Sequence, residues 1–250
     1  MKQSMPTANG QRPTTKKGNL FLIGLGMDQN SITAEALEAI KQSDKIYLEN
    51  YTVNFPYKIE DLKLDITPIE RQQLESEQII KEAKNSQISL LIYGDSLSAT
   101  THLQLIIEAK KQNIPYKVFH NASILTTIAE TGLQLYKFGK TTSMPNWKEH
   151  TNKPTSFANY IKQNQSIDAH TLILTDIGLE ISDAINQLLE STKDLPEKII
   201  TLSNAGTKNQ KIFYDTPQNL KGKNIPMPFC LIIPTKLHFI EEEAIEELKE

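Results

Sequence analysis

Two turns in the first half of the chain carry side chains suited to holding a small polar ligand. In Gly94-Asp95-Ser96-Leu97-Ser98 an aspartate follows a glycine directly after the apolar run at residues 90–93. A carboxylate at such a strand end accepts hydrogen bonds from ribose hydroxyls or from an ammonium group. Ser98, Thr100 and Thr101 add hydroxyls and backbone amides. The same residues also read as caps for a following helix, and spacing alone leaves both roles open. His120-Asn121-Ala122-Ser123-Ile124 ends the run at 116–119 in the same manner. A third turn, Gly24-Leu25-Gly26, permits close backbone approach to a ligand or simply makes a tight bend. It is not a dinucleotide fingerprint, because Gln29 stands where the third glycine belongs.

Other reactive residues are sparse. His120 reads either as a hydrogen-bonded core histidine or as a catalyst, and His102 opens a helix, while His150 and His170 have no informative context. Cys230 is the single cysteine, which excludes an internal disulfide and a multi-cysteine zinc site. Its apolar neighbours Phe229, Leu231, Ile232 and Ile233 place it in a core. No Gly-x-Ser-x-Gly elbow, His-Glu-x-x-His or glycine-lysine phosphate loop occurs. With no nucleophile and no metal-ligand spacing, the pattern suits a transferase that binds an activated donor and supplies orientation.

The elements that must position these turns follow from periodicity. Strands are expected at residues 19–24, 45–48, 66–69, 89–93 and 116–119, and helices at 33–43, 75–84, 101–112 and 124–130. Such alternation predicts a parallel sheet covered on both faces, with polar turns emerging at one edge. Residues 140–154, with Pro145 and Pro154, read as a linker into a second α/β domain. Beyond it, helices are expected at 157–163, 181–191 and 239–249, with strands at 172–174, 198–202, 211–214 and 229–233.

Composition bounds the function classes. With 23% charged residues and a net charge of −3, the chain has no field that by itself would attract nucleic acid or an anionic membrane. Apolar runs such as residues 20–23 fall far short of the about 20 that a membrane span needs. Residues 1–18 carry Lys2, Arg12, Lys16 and Lys17 with no acid. They read as a disordered basic tail, or as an arm touching a ribonucleoprotein partner. The glutamate-rich final helix reads as a solvated face.

The turns also carry a resemblance. The chain resembles the diphthine synthase family of the tetrapyrrole methylase superfamily at residues 22–27, 47–52, 94–102 and 120–124, at Gly132-Leu-Gln-Leu-Tyr-Lys-Phe-Gly139 and at Pro234-Thr-Lys-Leu-His-Phe-Ile-Glu241. Ala99-Thr-Thr-His102 and the 132–139 block separate this family from its superfamily relatives. The resemblance implies a cytoplasmic methyltransferase with S-adenosylmethionine as donor and no metal, usually a homodimer. Its acceptor would be the amino group of a modified histidine on translation elongation factor 2, in diphthamide biosynthesis. The implied fold is a two-domain tetrapyrrole-methylase-like α/β fold. It has a mostly parallel sheet in residues 19–143, a mixed sheet in 144–250, and a ligand cleft between them. Donor-site residues carried over by position are Met27, Asp95, Ser98, Ser123, Ile124, Thr175, Ser203 and His238.

Three positions depart from the family pattern. Ser96 replaces the usual proline of the turn, Asn204 stands where an arginine commonly precedes Ala205-Gly206, and Thr235 replaces a glycine. Two other readings remain: a superfamily methyltransferase acting on a tetrapyrrole or on ribosomal RNA, and a non-catalytic module that binds a nucleoside or a translation factor.

Overall fold

The computed structural model describes residues 18–249. The expected basic tail thus lies outside the described residues except for Gly18, whose N–H is held by Lys84 O at 3.2 Å.

The first half alternates strand and helix. The strands are β1 (Asn19–Gly24), β2 (Lys45–Glu49), β3 (Thr67–Ile69), β4 (Gln87–Ile92) and β5 (Tyr116–Phe119). Between them lie α1 (Ala34–Lys41), α2 (Arg71–Glu75), α3 (Gln78–Glu82) and α4 (Leu103–Lys111), and α5 (Ile124–Thr127) follows β5. The strands form an all-parallel sheet in the order β3-β2-β4-β1-β5. Period-two alternation divides its side chains between two cores. Leu20, Leu22, Ile88, Leu90 and Ile92 pack with Ile79, Ile80, Leu105, Ile106 and Ala109 on one face. Phe21, Ile23, Leu48 and Leu91 pack with Ala36, Ala39 and Ile40 on the other.

The second half holds β6 (Thr142–Met144), α6 (Ser156–Gln165), β7 (Thr171–Thr175), α7 (Ile181–Ser191), β8 (Ile199–Ser203), β9 (Lys211–Asp215), α8 (Pro217–Lys221), β10 (Phe229–Ile233) and α9 (Phe239–Leu248). Its sheet, β6-β7-β10-β8-β9, is mixed: β6 runs parallel to β7 and the remaining pairs are antiparallel. Phe157 and Ile161 of α6 and Ala184, Ile185 and Leu188 of α7 cover one face. The other face takes Ile245 of α9 together with Met27, Ile128 and Leu133 from the first half, so the two halves share a core.

Several elements differ from the sequence reading. The stretch taken as a linker contains β6, which three residues without alternation cannot announce. The helix expected over 75–84 is split, because Glu77 takes a left-handed φ of 59° between α2 and α3. The helix expected at 124–130 changes to a tighter turn at Ile128–Thr131. The short α8, with Pro217 in its first turn, was not anticipated. Among the described residues no helix is long and apolar enough to cross a membrane.

Candidate functional site

Register places the three polar turns together. Gly24 of β1 lies opposite Ile92 of β4, and Ile23 lies opposite Phe119 of β5. The chain therefore leaves all three strands at one edge, with the β1 turn in the middle. Gly26 N–H donates to Gly94 O at 2.9 Å, and Gly94 N–H donates back to Gly26 O at 3.0 Å. Both glycines have left-handed φ, 75° and 74°, which costs a residue without Cβ nothing. A Cβ on Gly24 would lie 2.7 Å from Gly94 O. The close approach these glycines permit is thus of one turn to another. Asn121 fastens the third turn to the first, donating from Nδ2 to Gly24 O at 3.1 Å and to Ser31 O at 2.8 Å. Its place in the His-Asn turn is the only signal that could have singled it out.

Asp95 ties the β4 and β5 turns together. Its Oδ1 accepts from Leu97 N at 2.9 Å and Ser98 Oγ at 3.2 Å. Its Oδ2 accepts from Asn121 N at 3.0 Å and faces His120 Nδ1 at 2.8 Å. An ionised carboxylate only accepts, so His120 carries a proton on Nδ1. Burial raises the Asp95 carboxyl, but the hydrogen bonds from Leu97, Asn121 and His120 outweigh it and hold the group below the ordinary range. Asp95 is buried, whereas the His120 side chain is 68% exposed. Ser123 caps α5 and exchanges hydrogen bonds with Thr126.

These turns form one wall of a cavity of about 990 Å³, counting the part open to solvent. The opposite wall belongs to the second sheet, with Leu174, Thr175, Leu202 and the 227–230 strand start. Of the anticipated donor residues, Met27, Asp95, Ser98, Ser123, Ile124 and Thr175 line the cavity. The Thr175 hydroxyl is engaged, donating to Phe229 O at 2.5 Å. Ser203 lies behind the wall, fully buried, with Oγ donating to Pro226 O at 2.5 Å. His238 stands apart from the cavity as the N-cap of α9, its Nδ1 accepting from Ile240 N at 3.5 Å and its ring against Phe239. Cys230 reaches the cavity wall but is 2% exposed, and burial pushes its thiol up to about 12.

Some participants were not legible beforehand. Asn54 Nδ2 donates to Met227 Sδ at 3.2 Å, carrying the 52–54 segment across the cavity to the second half. His102 opens α4 as its N-cap residue, but its side chain makes no capping hydrogen bond; the ring is buried, with Nε2 against Glu49 Oε2 and Nδ1 3.2 Å from Ser96 O. His170 belongs to a second buried network. Thr235 N–H donates to His170 Nδ1 at 3.0 Å, so the ring proton sits on Nε2 and points to Glu241 Oε1 at 3.2 Å. At the departures from the family pattern, Asn204 holds a φ of 48°, a conformation asparagine tolerates better than most residues. The Ser96 hydroxyl is buried with no hydrogen-bond partner among the described residues.

The chain resembles known proteins over nearly its whole length. The family model described as tetrapyrrole (corrin/porphyrin) methylases matches residues 19–221. The diphthine methyl ester synthase of Schizosaccharomyces pombe is 34% identical, over 90% of this chain and 92% of its own. The diphthine synthase of Methanococcus maripaludis is 36% identical, over 92% and 99%. A crystal structure of a diphthine synthase superposes with a TM-score of 0.83 at 31% identity, covering 92% of this chain and 96% of that one.

Proposed function

We propose that this chain, which belongs to the tetrapyrrole methylase family and is a methyltransferase related to the diphthine synthases, transfers methyl from S-adenosylmethionine to the amino group of the modified histidine of translation elongation factor 2, acting in the cytoplasm as a homodimer. One observation carries the placement of the donor. The cavity between the two sheets lies where β1, β4 and β5 end, the edge at which open parallel sheets bind ligands. It is lined by residues whose chemistry matches an amphipathic nucleoside. Ile92, Ile124, Leu174, Leu202 and Phe229 offer apolar walls for an adenine ring. Asp95, Ser98 and Ser123 offer oxygen acceptors and hydroxyls for a ribose or an ammonium group.

When bound, the donor supplies an activated methyl on a sulfonium sulfur. The residues of the chain hold it and fix its direction. Asp95, which lines the cavity, receives a donor hydroxyl or ammonium, while Leu97 and Asn121 keep the carboxylate in position. Thr175 acts through its backbone, since its hydroxyl is engaged with Phe229 O. Ser203 acts from behind, fixing Pro226 next to the cavity wall. His238 keeps α9 in register on the second sheet through its cap. Holding nucleophile and methyl about 3 Å apart in line supplies several kcal/mol of the barrier reduction without acid–base machinery.

Incubation with methyl-labelled S-adenosylmethionine and unmethylated elongation factor 2, a tetrapyrrole or ribosomal RNA tests the proposal. Label in the protein factor supports it. Label in the ring or the RNA selects another acceptor, and donor binding without transfer selects a binding module.

A further inference from the structure

His102 touches the turn that carries Asp95, and its ring is held from both sides. His102 is 3% exposed, and Glu49 at the end of β2 is 1% exposed. His102 Nε2 stands against Glu49 Oε2, and Nδ1 lies 3.2 Å from Ser96 O. A carbonyl oxygen only accepts, so Nδ1 carries a proton and donates it. The carboxylate on the other nitrogen keeps the ring in that orientation. His102 is the N-cap residue of α4, yet its side chain makes no capping bond; it is committed to the turn instead. Thr100 adds a second donor, with Oγ1 donating to Ser96 O at 3.2 Å and accepting from His102 N at 3.3 Å.

The carbonyl that receives both bonds belongs to the same peptide unit as the Leu97 N–H. That unit is planar, so fixing Ser96 O fixes the direction of the N–H, which donates to Asp95 Oδ1 at 2.9 Å. Donation to the carbonyl also polarises the unit and strengthens the N–H as a donor. Burial raises the Asp95 carboxyl, and the Leu97 bond is foremost among those that bring it below the ordinary range. The turn needs such support in this chain. Ser96 stands where the family pattern has proline, so no ring sets φ there, and its hydroxyl makes no hydrogen bond among the described residues. Farther along, Ala99 holds a φ of 57°, a conformation that costs free energy and persists only where its surroundings enforce it.

Resting on the donor assignment above, we propose that His102 is a positioning residue for the methyl donor. It acts through one peptide plane: the ring N–H holds Ser96 O, the Leu97 N–H holds Asp95 Oδ1, and Asp95 receives the donor. Glu49 anchors the ring. The end of β2, the turn after β4 and the start of α4 thus converge on a single donor contact.

Calorimetric affinity for S-adenosylmethionine tests this on the full chain and its variants, with thermal melting measured alongside. Asparagine places an amide N–H near the Nδ1 position of histidine, and glutamine places one near Nε2. His102→Asn therefore keeps the bond to Ser96 O and gives up Glu49, and His102→Gln does the reverse. His102→Ala and His102→Gln are expected to weaken donor binding about tenfold, the size of one lost charge-assisted hydrogen bond. His102→Asn recovers most of that loss, whatever its melting temperature. His102→Ala combined with Asp95→Ala binds no more weakly than Asp95→Ala alone, because both act through one carboxylate. A folded His102→Ala with wild-type affinity overturns the proposal, as do losses that add in the double variant. If His102→Ala does not fold, the other two variants decide, and an asparagine variant that binds no better than the glutamine one overturns it. A wild-type chain that binds no donor, or an Asp95→Ala variant that binds it as tightly as wild type, overturns the donor assignment instead.

Discussion

Asp95 Oδ1 and Oδ2 are each shared by two donors from the chain itself, and only one of those donors, His120, stands in solvent. The carboxylate is therefore a clip between two turns that also lines the donor cavity. Asp95→Ala is expected to weaken S-adenosylmethionine binding by about tenfold or more, roughly 1.4 kcal/mol or above, and unchanged affinity by calorimetry would sink the assignment. Ser96 gives the opposite case. Its hydroxyl is buried and unpaired among the described residues, so Ser96→Ala removes an unsatisfied group and should leave the unfolding free energy unchanged or raise it by up to about 1 kcal/mol. A clear loss of stability would mean that the hydroxyl has a partner. At this scale the sequence indicated that Asp95 and the His120 turn share an edge, because strand ends in a parallel sheet do. It could not indicate that His102 would turn inward to Glu49, since that pairing joins residues 53 apart in the chain on different strand–helix units.

Among the elements, α9 depends on one buried carboxylate. Glu241 is fully buried and accepts from His238 N at 2.8 Å, Gln134 N at 3.0 Å, Lys137 Nζ at 2.6 Å and His170. Burial alone raises its carboxyl, but the N–H groups of His238 and Gln134, with Lys137 and His170, bring it down to about 2 from 4.5. A depressed carboxyl stabilises the fold above its unfolded value and loses that contribution as pH falls through the folded one. The shift corresponds to roughly 3 kcal/mol, withdrawn between about pH 5 and pH 2. Burial also lowers the His170 ring, which acts in the same direction, since the unfolded chain takes up that proton first. Acid melts should show the loss in the wild type, and Glu241→Gln should remove most of it while lowering stability at neutral pH; a parallel acid profile would contradict the network. The long amphipathic helices and apolar strands were readable because period and burial coincide there. β6 and α8 were not, because three residues of strand and five of helix each make less than two periods of their own pattern, and neighbouring strands and helices hold them in place.

At the scale of the molecule, the two sheets do not stand as separate bodies. Met27, Ile128 and Leu133 of the first half pack with Leu202, Cys230 and Ile232 of the second, and the donor cavity opens along that shared core. A ligand bound there touches both halves, so S-adenosylmethionine at about a hundred times its Kd should stabilise the whole chain by about 2.7 kcal/mol in one transition. Two separated transitions, with only one shifted, would contradict a shared site. Cys230 reports on the same core. Its thiol is buried and held up to about 12, so it should resist a thiol reagent in the native state and react fully once the chain is unfolded; rapid native labelling would mean that the cavity wall opens. The sequence indicated two halves and a meeting place. It could not show how the second sheet would close that place, because the closing residues 227–230 sit in an ordinary apolar run whose neighbours are set by tertiary packing.

The most direct measurement of the central claim is the mass of elongation factor 2 peptides after incubation with the chain and S-adenosylmethionine. The account predicts added mass in whole methyl groups confined to the peptide with the modified histidine, and much reduced in Asp95→Ala. An acceptor peptide of unchanged mass, in the presence of a chain that binds the donor, would contradict it.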